Sequence, residues 1–112
     1  MSDLWTFRPG TVDRLIFNDV VGRNEYQLPD RFAPTDIVID IGAHIGAFTF
    51  AVVERGGRQV WCFEPDRDNC RLAAAHLQPS IDAGWVHVSQ KAVWRSDRDE
   101  IREINDCRDR RA

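Results

Sequence analysis

The stretch from Asp36 to Thr49, Asp-Ile-Val-Ile-Asp-Ile-Gly-Ala-His-Ile-Gly-Ala-Phe-Thr, restricts the possible folds more than any other part of the chain. An apolar run suited to a buried strand passes directly into a loop carrying Gly42 and Gly46, and from there into a run that is apolar on nearly every side. Strand, glycine loop and helix in that order form the junction at which α/β proteins hold nucleotide-like ligands, outside the carboxyl end of a parallel strand. A second continuous apolar strand, Gln59 to Phe63, ends in Glu64-Pro65, which places a carboxylate at the end of the next strand.

The flanking sequence extends this pattern. Cys70, Ala73, Ala74 and Leu77 fall at helical spacing after Pro65-Asp66, and Gln78-Pro79 closes that helix. A third strand is expected at Trp85 to Val88, extended or flanked by Ala92 to Trp94. Upstream, Val12, Leu15, Ile16, Asp19 and Val20 predict a helix over residues 12–21 capped by Thr11. A turn follows at Gly22 to Asn24, then a short strand at Glu25 to Leu28 and an irregular lead-in marked by Pro29 and Pro34. Strand, helix, strand, helix, strand implies right-handed parallel crossovers. The expected fold is α/β: a Rossmann-like doubly wound parallel sheet, incomplete, with about three core strands and crossover helices behind an N-terminal helix. Residues 1–34 form the helix and lead-in, 35–95 the partial Rossmann-like domain, and 96–112 a charged tail expected to be a solvated end.

Size and charge narrow the partners. A domain of 112 residues can bury roughly two thirds of its unfolded surface, enough for a core. The net charge of -3 provides no basic footprint, so nucleic acid is not an expected partner. No apolar run approaches the ~18 residues of a membrane span, and none reads as a secretory leader. Cys62, Cys70 and Cys107 lack metal-ligand spacing with His44, His76 or His87, so no metal site is expected. They read as reduced thiols of a cytoplasmic protein, with Cys62 and Cys70 serving as small buried hydrophobes.

The loop also discriminates between cofactors. A dinucleotide fingerprint needs a bare second glycine where the pyrophosphate approaches, and here that position is His44, with Ala47 at the third. The spacing Asp40-x-Gly42-x-x-x-Gly46 resembles instead the first signature of class I S-adenosylmethionine-dependent methyltransferases. That cofactor carries an amino acid end, a sulfonium and an adenosine, without phosphate. Gly42 and Gly46 permit close backbone approach. Asp40 can hold the methionyl ammonium, and Glu64 can accept hydrogen bonds from the ribose 2′ and 3′ hydroxyls. His44 reads as a loop-stabilising residue, and Gln90 and Lys91 are candidates to lie near an adenine.

Val38-Ile-Asp40-Ile-Gly42-Ala43-His44-Ile-Gly46-Ala-Phe48-Thr49, followed by Phe63-Glu64-Pro65-Asp66, resembles the FkbM family of methyltransferases, with D-x-G-A-[NH]-x-G and a downstream F-E-P. The likeness spans about residues 11 to 95. It implies that Asp40, Gly42, Ala43, His44, Gly46 and Glu64 line an S-adenosylmethionine site, and that the acceptor is a hydroxyl of a small molecule, a natural product or a sugar. The implied reaction is in-line displacement of the sulfonium methyl, which asks the protein mainly to align two reactants and to help remove a proton.

No general base is identifiable, and such domains ordinarily continue beyond a third strand. The chain is therefore expected to be an N-terminal fragment or truncated copy that holds cofactor without necessarily turning over. An open sheet edge would invite self-association. Two other readings stand: a non-catalytic remnant or interaction module, and an NAD-binding oxidoreductase fragment.

Overall fold

The computed structural model describes residues 5–93 and the backbone of residues 101–105. Three parallel strands form the centre: β1 (Val38–Ile41), β2 (Val60–Phe63) and β3 (Val86–Val93), in sheet order β1-β2-β3. The register aligns Asp40 with Cys62 and Cys62 with Val88, so the ends of β1 and β2 finish level. A fourth strand, β4 (Ile101–Asn105), pairs antiparallel with β3. This corrects the reading of that part of the charged tail as a solvated end. Ile101 and Ile104 are three residues apart, so the segment shows no period-two alternation, and the surrounding charge masks it as a strand.

The crossovers are α2 (Ala47–Glu54) and α3 (Arg67–His76). Asp66 caps α3 by accepting the Asn69 N–H at 2.8 Å. α3 ends at its cap Leu77, just ahead of Gln78-Pro79 as its pattern predicts, and a separate short helix follows. Pro79 lies in the first turn of α4 (Gln78–Asp82), where its missing N–H costs nothing. Side chains at period two divide the sheet. Val60, Cys62 and Val86 are buried with Val52 of α2 and Leu77 after α3. On the opposite face Ile39, Ile41 and Trp61 are exposed, with Ile37 just ahead of β1.

The N-terminal helix is shorter than its apolar pattern predicts. α1 (Asp13–Phe17) runs into a π-helical turn, Asn18–Gly22, and together these cover the expected span. Trp5, Phe17 and Val20 pack with Ile45, Ala47 and Ala51, fastening this segment to the start of α2. The expected strand at Glu25 to Leu28 is a turn. The Asn24 side chain takes the Leu28 N–H at 2.9 Å and donates to the Leu28 carbonyl at 3.1 Å, supplying both hydrogen bonds that a strand partner would have provided.

Cys62 is a free, fully buried thiol, and burial pushes it up to about 12, which makes it inert. Cys70 departs from the reduced-thiol expectation because it is disulfide-bonded. Among the described residues no helix is long and apolar enough to cross a membrane, and no group of His, Cys, Asp and Glu could hold a metal ion.

Candidate functional site

A cleft of about 350 Å³ opens at the carboxyl end of β1. Its floor is Ile39 to His44, one wall is the start of α2 with Ala47 and Phe48, and the other is Ile16, Val20 and Tyr26. Tyr26 meets Phe48 edge-on with ring centroids 5.3 Å apart. The cleft thus has apolar walls and an aromatic rim but exposes polar and apolar surface in nearly equal parts, and its volume is within the usual size range of small-molecule sites.

Asp40 is the buried charge of this cleft, 7% exposed. Its Oδ2 accepts from Thr49 Oγ1 at 2.8 Å. That hydroxyl has one proton to give, so the Cys62 thiol 3.0 Å away completes a chain from thiol to hydroxyl to carboxylate. Among the described residues no cation partners Asp40. Burial raises its carboxyl above the ordinary range, and the charge of Glu64 adds to that. Thr49 had no role in the sequence reading, although a hydroxyl inside an otherwise apolar helix was the available signal.

The two loop glycines serve different ends. At Gly42, φ is +75° and a Cβ would meet nothing within 4 Å, so its bare α-carbon borders open space. At Gly46, φ is +98°, and a Cβ would lie 3.0 Å from Leu77 Cδ1 and 3.5 Å from the Ala73 Cα. Gly46 therefore answers to packing against the end of α3, and it does not line the cleft. Ala43 is buried at the cleft floor.

His44 sits between these glycines with φ at +54°, a left-handed conformation that costs a non-glycine residue about 1 kcal/mol or more. Its amide N–H donates to Glu64 Oε1 at 2.7 Å, and its Nε2 lies 3.7 Å from Asp13 Oδ1, beyond hydrogen-bond range. Among the described residues the buried Nδ1 has no hydrogen-bond partner. The backbone bond bears on the loop-stabilising reading, since it ties the strained residue to the end of β2.

Glu64 is 7% exposed and does not line the cleft. One carboxylate oxygen takes the His44 N–H, and the other takes the Asp66 N–H at 2.9 Å. Its first task is to brace the two loops that follow β1 and β2, and each oxygen keeps one further lone pair. Gln90 is buried and donates to the Pro65 carbonyl at 3.2 Å, which places it beneath that second loop.

Asp13 is a further buried carboxylate, 1% exposed, that sequence reading left inside a helix pattern. Arg8 grips it through Nε at 2.8 Å and Nη2 at 3.0 Å, and the Arg8 amide adds a third bond at 3.0 Å. Those bonds hold its carboxyl down to about 2. Asp13 thereby fixes the N-terminal segment behind the His44 side of the loop.

No family model, no curated protein and no solved structure matches this chain.

Proposed function

We propose that this chain is the cofactor-binding part of a Rossmann-like S-adenosylmethionine-dependent methyltransferase of FkbM type, acting on a hydroxyl of a small molecule, a natural product or a sugar. The observation that carries the reading is Asp40: a buried carboxylate that no cation among the described residues partners, at the carboxyl end of the first parallel strand, in a cleft rimmed by Tyr26 and Phe48. A buried carboxylate is costly until a positive group pairs with it. An aromatic rim favours a cation carried on an apolar body.

S-adenosylmethionine fits both demands, and when bound it supplies an electrophilic methyl group whose transfer leaves S-adenosylhomocysteine. Asp40 holds the ammonium of the methionyl end. Gly42 lets the backbone approach, and Ala43 and His44 set the loop's path. Gly46 seats that loop on α3. Glu64 keeps the loop in register and offers its remaining lone pairs to the ribose hydroxyls. The described residues thus serve donor binding, and the sequence reading found no group to take the acceptor's proton.

Calorimetry on folded protein tests the reading. Binding of S-adenosylmethionine and S-adenosylhomocysteine, lost on Asp40→Ala, is the expected result, and a tenfold preference for NADH would favour the oxidoreductase alternative. One observation favours a second reading, an interaction module: Ile39, Ile41 and Trp61 are exposed on one sheet face. Light scattering that shows a monomer at all concentrations counts against that reading.

A further inference from the structure

Residues 5–12, ahead of α1, form no helix or strand, yet they are fastened to α3 and to the glycine loop through one imidazole. His76, the last residue of α3, stacks on Trp5 with centroids 3.9 Å apart and planes 22° from parallel. Its Nε2 accepts the Thr6 N–H at 2.9 Å, and its Nδ1 lies 2.8 Å from the Ile45 carbonyl oxygen. An accepting Nε2 places the ring's proton on Nδ1, so Nδ1–H donates to Ile45. The ring is therefore neutral and held in one tautomer, with the strap on one nitrogen and the loop on the other.

What hangs on this ring is part of the cleft. Trp5 is 8% exposed and packs on Phe17 at 4.7 Å and on Phe50 at 5.2 Å. Phe17 closes α1, whose Ile16, together with Val20 in the following turn, lines one cleft wall. Ile45 belongs to the loop that forms the floor.

We propose that His76 is a pH-operated latch: a proton on Nε2 turns the acceptor into a donor facing the Thr6 N–H, releases residues 5–7 from α3, and loosens the α1 wall of the cleft. The step is a simple protonation: an O–H bond of solvent hydronium breaks as the Nε2–H bond forms, and the Thr6 hydrogen bond is lost. The charged groups facing the ring are Arg8 on the strap, which disfavours the imidazolium, and Asp13 on α1, which favours it; the loop presents the Ile45 carbonyl. Arg8 and Asp13 are bonded to each other, so their fields largely offset, and burial tips the balance toward the neutral ring.

The sign follows from linkage. A histidine whose value is lowered on folding from 6.5 binds fewer protons folded than unfolded. The latch is fully engaged above that value and is lost as the pH falls below it. This behaviour is independent of which ligand the cleft takes.

The test is an NMR titration of the full chain between about pH 8 and about pH 5, following the His76 ring and the Trp5 indole N–H. The expected result is a Trp5 shift with the same midpoint as His76, below 6.5, while the Trp85 indole, beneath the Arg58 guanidinium, does not follow it. His76→Gln keeps an acceptor without a titrating group and should abolish the Trp5 transition. A Trp5 signal that stays flat through the His76 titration overturns the proposal, as does a transition that persists in His76→Gln. Should that variant fail to fold, the wild-type titration alone decides.

Discussion

The two sides of the parallel sheet are built from the same kind of strand but answer to different demands. On the covered side Val60, Cys62 and Val86 lie under Val52 and Leu77 with almost no exposure. On the other, Ile39, Ile41 and Trp61 remain 59%, 63% and 44% exposed. Residues on the first side are fixed by packing and those on the second are not, so substitutions there should differ by several-fold in cost. The cleft lies where the two regimes meet, and its residues divide in the same way: Gly46 faces the packed side and Gly42 faces open space.

The largest test of that contrast is Leu77→Ala. Leu77 is 1% exposed and braces both Gly46 and the sheet, so its truncation should cost about 3 kcal/mol in chemical denaturation. Asp13→Asn comes next, at about 2 kcal/mol near neutral pH, because it removes a charged acceptor of three Arg8 bonds. Its pH dependence has a definite sign. A carboxyl held down to about 2 contributes stability above its ordinary 3.8 that is lost as pH falls between those values. The Asn variant should flatten that part of the acid unfolding curve.

Within the loop, Gly46→Ala should cost about 2 kcal/mol, since a left-handed backbone and a 3.0 Å approach to Leu77 act together. Gly42→Ala carries the backbone term alone and should cost about 1 kcal/mol. Equal costs for the two would break the division. The smallest effect is expected at Ile37, 67% exposed: Ile37→Thr should stay within about 0.5 kcal/mol of wild type. A larger loss there would mean that the open side is covered in solution.

The parallel core was legible because its signals are local and redundant. β1, the glycine loop, α2, β2 and α3 each carry their own period, cap or breaker, and all agree with right-handed crossovers. The elements that were misread depend on partners distant in sequence or on side-chain hydrogen bonds. Asn24 replaces a strand pair with its own amide, and β4 exists through β3. The site divides similarly. Asp40, Gly42, Ala43 and His44 line one cleft, while Gly46 of the same motif lies outside it. Tyr26, Ile16 and Val20 complete it from a segment whose approach no local pattern encodes. Glu64 was picked out for the right strand end, but the two backbone N–H groups it accepts could be counted only once the two loops were seen side by side.

Isothermal calorimetry of the folded chain against S-adenosylmethionine and S-adenosylhomocysteine addresses the central claim most directly, with Asp40→Ala and Ile37→Thr measured alongside. The account predicts saturable binding of both ligands by the wild type, unchanged in Ile37→Thr and weakened at least about tenfold, or ~1.4 kcal/mol, in Asp40→Ala. No heat with either ligand from protein shown to be folded by circular dichroism, or an Asp40→Ala variant that binds as the wild type does, would contradict it.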